Sequence, residues 1–366
     1  MAGTRALTIG IDARAALEEP AGQGRVVREL LRVLGREASG HRYRCYARER
    51  WEDAGDRLQW RLLELPDPWW HVRVAALAAR ECDVLLSPSS YVTVCAARGP
   101  AVPIVHDLAT FDRSLEPNRR SMVIERLTLG LAVRRAAALI AVSEATAVDL
   151  GERFPRAAGK LSVARLGVSP TLSAPSGGEQ LDALPPPGFV LAVGTLEPRK
   201  NLARLAAAYG SLPAALQAAH PLVLAGRIGW RTGPALAALE ALGDRAIRLG
   251  FVEDAALAEL YRRCAVFCYP SLGEGFGLPV LEAMAAGAAV LTSPVSSLPE
   301  VAGDAARYAP PRDTVAIAGE LRRLLEDEPA RRELGERAVM RAATFSWSSF
   351  AERTVEVLER AASRAR

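Results

Sequence analysis

Short apolar runs alternate with amphipathic segments along most of this chain. The first run, Leu7–Asp12, is followed after a glycine-containing loop by a helical pattern from about Arg25 to Leu34. This alternation predicts parallel sheets covered by helices. Further strands are predicted at Arg42–Tyr46, Val84–Leu86, Val102–Val105, Leu139–Val142, Leu161–Ala164, Phe189–Val193, Pro221–Leu224, Ile247–Leu249, Val266–Tyr269 and Ala289–Leu291.

The alternation is interrupted once, between Ser173 and Pro187, by a segment rich in glycine and proline. A chain of 366 residues exceeds the size at which one core usually stops growing. We therefore predict two similar domains with a cleft between them, one covering residues 1–180 and the other residues 181–345. The last segment, residues 346–366, has the pattern of an amphipathic helix.

A glycine-containing loop joins the predicted strand at Val266–Tyr269 to a predicted helix that begins at Leu278. Glu274 lies in this loop, and Glu282 lies about one turn inside the helix. Free N–H groups at the start of a helix favour a phosphate or diphosphate. Carboxylates would repel such a group, so we expect them to bind hydroxyls instead. A sugar nucleotide supplies both the hydroxyls and the diphosphate.

The stretch Glu274–Glu282 resembles the E-x7-E signature of family 4 of the retaining glycosyltransferases. Six other segments resemble that family in the same order along nearly the whole chain: Gly22–Arg25, Val105–Leu108, Val142–Thr146, Val193–Asn201, Leu249–Val252 and Ser296–Val301. The resemblance implies the α/β fold called GT-B, with two Rossmann-like, doubly wound parallel-sheet domains facing a cleft. It also implies that the first domain is on the acceptor side, that the second binds the nucleotide sugar, and that the helix at 346–366 packs back onto the first.

Arg199 and Lys200 follow a predicted strand, and ligands bind at the carboxyl ends of parallel strands. Two fixed cations there would stabilise the negative charge that develops on a departing diphosphate. Family members often carry an arginine directly after the strand glycine, where this chain has Thr195. Whether Arg199 replaces that arginine stays open at this point.

His106 follows the predicted strand Val102–Val105. The family's histidine at this place contacts the donor sugar near the reacting centre, although a structural histidine at a strand end is the alternative. The predicted catalytic residues are therefore Glu274, His106, Lys200 and Arg199. The predicted donor-binding residues are Glu282, Gly275, Phe276, Gly277, Leu278, Gly24, Phe251, Val252 and Thr195.

The resemblance implies transfer of a hexose with retention of the anomeric configuration. The motifs look most like those of bacterial mannosyl- and rhamnosyltransferases that build surface polysaccharides or glycolipids, which favours GDP-mannose as donor and a glycan or lipid-linked saccharide as acceptor. UDP-glucose, UDP-N-acetylglucosamine and dTDP-rhamnose stay open as donors. A sugar-nucleotide epimerase and a non-catalytic subunit that binds sugar nucleotides are the competing functions.

No D-x-D triplet suited to a divalent metal is present, so we expect metal-independent chemistry without a cofactor. The net charge of +4 is too small to imply a nucleic-acid partner. The sequence has neither an apolar run of about 20 residues nor an N-terminal signal pattern, so a cytoplasmic location is expected. Two segments could contact the inner face of the membrane or a lipid-linked acceptor, namely Trp69–Trp70 and Arg119–Arg135, but core packing with a solvated face is favoured.

Overall fold

The computed structural model describes residues 5–19, 22–36, 40–169 and 184–364 of the chain. The chain divides into two compact units. One extends to Phe111 and also contains Arg119–Gly167 and the segment from Ser346 onwards, while the other contains Asp112–Asn118 and Val168–Phe345. The predicted boundary near residue 180 lies outside the described residues.

Seven parallel strands form the sheet of the first unit, in the order β3-β2-β1-β4-β5-β6-β7. The chain starts in the sheet at β1, moves outward to β3, and returns to β4 on the other side of β1, which is a doubly wound arrangement. The strands are β1 (Thr8–Asp12), β2 (Arg42–Ala47), β3 (Leu58–Leu62), β4 (Val84–Ser87), β5 (Ala101–Val105), β6 (Leu139–Ala141) and β7 (Leu161–Val163).

The α-helices of the first unit lie between these strands and at the end of the chain. They are Ala15–Glu18, Gln23–Arg36, Trp69–Glu81, Tyr91–Ala96, Arg119–Arg135, Glu144–Arg153 and Trp347–Arg364. The last of them contacts the first unit through Glu359, whose Oε1 lies 3.1 Å from His41 Nε2. Gly167 also packs against the backbone of Trp347.

Six parallel strands form the sheet of the second unit, in the order β10-β9-β8-β11-β12-β13. The strands are β8 (Val190–Val193), β9 (Leu222–Ala225), β10 (Ala246–Gly250), β11 (Val266–Tyr269), β12 (Val290–Thr292) and β13 (Arg307–Tyr308). The α-helices are Leu202–Gly210, Ala214–Ala219, Gly233–Glu240, Asp254–Arg263, Leu278–Ala285, Leu298–Ala302, Thr314–Glu326 and Glu328–Ala342.

The central strands are mostly buried, and β4 and β11 are buried along their whole length. Strands covered by helices on both faces have near-continuous apolar sequences, which is why the sequence predicts them well. Two strands were not predicted. β3 is a mostly exposed edge strand containing Gln59 and Arg61, and β13 has only two residues.

The helix Arg119–Arg135 has a buried side and an exposed side. Leu129, Ala132 and Val133 are buried, whereas four apolar side chains are exposed: Val123, Ile124, Leu127 and Leu131. Trp70 is fully buried and Trp69 is exposed. Both segments therefore pack one side into the core and expose the other, as expected, and the exposed side includes apolar side chains. Among the described residues, no helix is both long enough and apolar enough to cross a membrane.

Candidate functional site

The loop after β11 turns sharply before the helix Leu278–Ala285. Gly277 precedes this helix with φ of +101°, a backbone conformation that side-chain-bearing residues rarely adopt. A Cβ atom at this position would lie 2.8 Å from Leu298 Cδ2. The backbone angle therefore favours glycine here, and a Cβ atom would in addition press on the end of the Leu298 side chain.

The carboxylate of Glu274 lies at the centre of a dense polar cluster in the second unit. Its Oε1 accepts hydrogen bonds from Ser271 Oγ at 2.6 Å and from Tyr269 Oη at 2.9 Å, and Lys200 Nζ donates to it at 2.8 Å. Its Oε2 lies 2.6 Å from Arg199 Nη1. Three donors fill the capacity of Oε1, so Oε2 is the oxygen with room to accept a further hydroxyl.

The two cations keep Glu274 ionised. Burial raises its pKa, but Arg199 and Lys200 outweigh that effect and lower the pKa of Glu274 to about 2. The pKa of Lys200 is lowered by burial and by the neighbouring Arg199. At neutral pH Glu274 is thus a pure hydrogen-bond acceptor, which suits it to hold sugar hydroxyls.

Glu197 completes the charge balance of the cluster. Its Oε1 lies 2.8 Å from Arg199 Nη2, so Arg199 pairs with both Glu197 and Glu274. With Lys200, the cluster contains two cations and two carboxylates and is neutral. The carboxylates hold the cations in position before any ligand binds, which is the fixed arrangement that electrostatic stabilisation of a transition state requires.

Hydrogen bonds from other segments to the backbone of the loop after β11 hold this loop in place. Ser296 Oγ accepts from the Glu274 N–H at 2.8 Å, and Ser297 Oγ donates to the carbonyls of Glu274 and Phe276 at 3.0 and 2.8 Å. The Leu272 N–H donates to the Arg199 carbonyl at 2.8 Å. The amides of Leu272 and Glu274 are therefore engaged within the protein.

Glu282 lies on the helix Leu278–Ala285, as expected, and is buried. Its Oε2 accepts a hydrogen bond from Tyr261 Oη at 3.0 Å.

A row of aromatic rings links the surroundings of the two carboxylates. Tyr261 packs edge-on against Phe267 at 5.4 Å between ring centroids, and Phe267 stacks on Tyr269 at 5.7 Å. The tyrosines at either end of this row donate to Glu282 and Glu274 respectively. The row therefore fixes both carboxylates relative to β11.

The surroundings of the other predicted donor-binding residues of the second unit differ from one residue to the next. Phe276 is buried and packs edge-on against Phe345 at 6.0 Å, so its ring supports the loop. Phe251 is 45% exposed and carries the Arg227 guanidinium 4.4 Å above its ring. Thr195, directly after Gly194, is exposed. Gly275 is buried, and Leu278 and Val252 are partly buried.

His106 lies in the first unit, directly after β5, where the sequence places it. Its Nε2 lies 2.7 Å from the Pro88 carbonyl and therefore carries the proton. Burial lowers the pKa of His106 below its usual value, against the opposing effects of the Pro88 carbonyl and Asp107. The neutral ring then presents Nδ1 as an acceptor.

Gly24 also lies in the first unit, within the helix Gln23–Arg36. A Cβ atom here would lie 1.7 Å from the Glu19 carbonyl oxygen and 2.7 Å from that of Ala15. Close backbone packing therefore requires glycine at this position, independently of any ligand.

Three residues of the cluster were not predicted as site residues: Tyr269, Ser271 and Glu197. Nor were Ser296 and Ser297, which hold the loop. All five lie within or beside segments that resemble the family, so proximity in sequence was the available signal. Among the described residues, no group of three or more His, Cys, Asp and Glu side chains could hold a metal ion.

Residues 20–172 match the family described as Glycosyltransferase Family 4, and residues 179–341 match the family described as Glycosyl transferases group 1. The chain is 35% identical over 267 residues to the O-antigen chain mannosyltransferase B of Escherichia coli, covering 70% of this chain and 69% of that protein. The chain belongs to glycosyltransferase family 4. It is an enzyme that transfers a glycosyl group.

A second relative is longer than this chain. The serotype-specific mannosyltransferase WbdA of Escherichia coli is 35% identical over 269 residues, which cover 70% of this chain but only 33% of WbdA. Among solved structures, HepE of Anabaena in complex with UDP and glucose has a TM-score of 0.74 at 19% identity and covers 97% of this chain and 99% of its own. This likeness and the two parallel-sheet units confirm the predicted GT-B fold.

Proposed function

We propose that this glycosyltransferase moves a mannosyl group from GDP-mannose to a glycan or lipid-linked saccharide, with retention of configuration and without a metal ion. The observation that carries the proposal is the cluster of Glu274, Lys200 and Arg199, in which an ionised carboxylate and two cations are fixed together. The sugar is assigned from two relatives that are named mannosyltransferases.

The reaction breaks the bond between the anomeric carbon and a diphosphate oxygen and forms a bond from that carbon to the acceptor oxygen. We assign the acceptor proton to an oxygen of the departing diphosphate, on the face from which it leaves. Lys200 and Arg199 stabilise the charge that develops on this leaving group. Glu274 holds donor-sugar hydroxyls through Oε2, Glu282 holds the ribose, and the nucleotide base stacks near Phe251.

His106 has a positioning role in this proposal. Because its Nε2 proton is directed to the Pro88 carbonyl, Nδ1 accepts a hydrogen bond from a donor-sugar hydroxyl. The remaining donor contacts are assigned to the backbone at Gly24, Thr195 and Gly275–Leu278.

The test is a transfer assay with GDP-mannose, UDP-glucose, UDP-N-acetylglucosamine and dTDP-rhamnose, each supplied with a mannose-terminated oligosaccharide in the presence of EDTA. We expect product with GDP-mannose, and NMR of the new linkage should show the α-anomeric configuration of the donor. Glu274→Ala should reduce transfer at least about 100-fold. Product from another donor alone, inverted configuration, or full activity of the variant would overturn the corresponding part of the proposal.

A second candidate donor is supported by one observation. HepE, which shares the fold, was crystallised with UDP and glucose. Preferential transfer from UDP-glucose in the same panel would favour this alternative. Conversion of a nucleotide sugar without any acceptor would instead indicate an epimerase.

A further inference from the structure

A cavity of about 520 Å³ lies in the second unit, between β13 and the helices Thr314–Glu326 and Glu328–Ala342, and is here called the β13 cavity. Arg307 in its wall is the first residue of β13. Because the sheet is parallel, the amino end of β13 lies at the opposite edge from the carboxyl ends that Lys200 and Glu274 follow. The β13 cavity is therefore separate from the cluster around Glu274. Its charged lining residues are Arg307, Arg323, Glu326, Asp327, Glu333 and Arg337.

One donor in the wall of the β13 cavity is left without an acceptor. Arg337 Nε is shielded from solvent and has no hydrogen-bond partner in the part of the chain that the structure describes. A buried donor of a charged group is costly when it makes no hydrogen bond, and native structures contain few of them. An acceptor that enters the cavity beside Arg337 would remove this cost.

The other two arginines of the lining share a single carboxylate. Arg307 Nε lies 3.0 Å from Glu320 Oε2, and Arg323 Nη1 pairs with Glu320 Oε1. One negative charge therefore balances two guanidiniums, and Arg337 adds a third. These three cations come from β13 and from two different helices, so they can contact one ligand from different directions.

Two of the three carboxylates of the lining are engaged elsewhere. Glu326 Oε1 lies 2.8 Å from Arg322 Nε, and Asp327 Oδ1 accepts a hydrogen bond from the Ala330 N–H at 2.9 Å. These two carboxylates therefore do not compensate the arginines of the cavity. The third, Glu333, is exposed and lies one helical turn before Arg337. Its ionised carboxylate can accept hydrogen bonds from hydroxyls.

The charge and size of the β13 cavity identify the kind of ligand. Guanidiniums form their strongest hydrogen bonds with ionised oxygens, as in phosphate. A phosphate monoester presents three acceptor oxygens and a charge of about −1.5 to −2 at neutral pH, which suits three convergent arginines. The volume of about 520 Å³ falls in the range of roughly 300 to 1,000 Å³ that is typical of small-molecule sites. The ligand therefore has room for a hydroxylated body beside its phosphate.

We propose that the β13 cavity binds a phosphorylated sugar, with the phosphate on Arg337, Arg323 and Arg307 and the sugar hydroxyls on Glu333. This site is distinct from both substrate sites of the transfer reaction. It does not depend on which nucleotide sugar is the donor.

The test is calorimetric titration of the full chain with glucose 6-phosphate, inorganic phosphate and glucose. We expect glucose 6-phosphate to bind, inorganic phosphate to bind more weakly, and glucose not to bind. Arg337→Gln should weaken the binding of both phosphates at least about tenfold, because it removes a charge-assisted hydrogen bond. Glu333→Ala should reduce the affinity for glucose 6-phosphate to that for inorganic phosphate, without weakening the binding of inorganic phosphate.

Two further variants make the titration specific. Arg332→Gln is the matched control, since Arg332 lies on the same helix as Arg337 but pairs with Glu328 outside the cavity. Its affinity should equal that of the wild type. The side chain of Arg323 is 72% exposed, so Arg323→Gln tests the same phosphate contact if Arg337→Gln does not fold. It should weaken the binding of both phosphates as well.

Lys200→Met separates the β13 cavity from the cluster around Glu274, and it should bind glucose 6-phosphate like the wild type. Loss of binding in Lys200→Met with retained binding in Arg337→Gln would place the phosphate in that cluster and overturn the inference. Absence of glucose 6-phosphate binding by the wild type, or equal weakening in Arg332→Gln, would also overturn it. Tighter, Arg337-dependent binding to vesicles containing phosphatidic acid would replace the sugar phosphate with a lipid headgroup.

Discussion

Replacement of Glu274 by glutamine should destabilise the second unit in a pH-dependent manner. The variant keeps the size of the side chain but removes the charge that compensates Lys200 and Arg199. Glu274 is 7% exposed at its side chain, so solvent screens these pairs little. Lowering a pKa from the ordinary value near 4.3 to about 2 corresponds to about 3 kcal/mol in the ionised folded state.

The sign of the pH dependence follows from the direction of the shift. The pKa of Glu274 is lower in the folded state than in the unfolded state, so its ionised carboxylate contributes its full stabilisation above the unfolded-state pKa. This contribution is lost as the pH falls toward about 2. Glu274→Gln should therefore be less stable than the wild type by about 3 kcal/mol at pH 7 but by only about 1 kcal/mol at pH 3. The two values differ because, at pH 3, the wild type has already lost much of the stabilisation that the ionised Glu274 carboxylate provides at pH 7.

Hydrogen exchange of the β11 amides is the suitable assay, because two compact units need not unfold together. Amides of β1 in the first unit give an internal reference. Glu326→Gln is the matched control, since Glu326 pairs with Arg322 at the surface of the same unit and should change stability by less than about 1 kcal/mol. An equal loss of stability in Glu274→Gln at both pH values, or no loss of stability at pH 7, would refute the reasoning.

Three further variants test separate parts of the site. Lys200→Met should reduce kcat for transfer about 100-fold, because it removes a fixed charge from the leaving group, and an unchanged kcat would exclude that role. Tyr269→Phe removes one donor to Glu274 Oε1 and should lower the free energy of unfolding by about 1 kcal/mol in denaturant titrations; full retention of stability would contradict this. Gly277→Ala should cost about 1 to 3 kcal/mol and lower the Tm, because of its positive φ and the contact with Leu298. Gly319→Ala, in an open position on a helix, is its control and should not lower the Tm.

Much of the fold could be predicted because buried parallel strands have distinctive sequences. Val266–Tyr269 is apolar throughout and was predicted at its observed bounds. β3 could not be recognised, because an exposed edge strand with Gln59 and Arg61 lacks that apolar signal. A strand can therefore be predicted from the sequence when helices bury it, because a buried strand consists mainly of apolar residues.

The candidate site was only partly predictable, for a related reason. Glu274, Lys200 and Arg199 were predicted from motifs, but the motifs do not show that the acid and the cations, more than 70 residues apart, contact one another. Nor do they show that the Ser297 hydroxyl holds the loop through two carbonyls. These contacts depend on how β8, β11 and β12 place their following loops side by side, which is a property of the sheet order.

Glu274 and Asp12 show how far the surroundings decide what a carboxylate does. Asp12 ends a central strand and is buried, and Glu274 lies in the loop after another central strand with its side chain shielded from water. Glu274 contacts two cations and has a pKa of about 2, whereas burial raises the pKa of Asp12, whose hydrogen bonds come from the hydroxyls of Thr93 and Ser87. Among the described residues, Asp12 Oδ1 has no hydrogen-bond partner. The first carboxylate is therefore suited to hold a ligand directly, while the second accepts from Thr93, which contacts His71, which in turn contacts Arg14. Only the three-dimensional neighbours distinguish these two carboxylates.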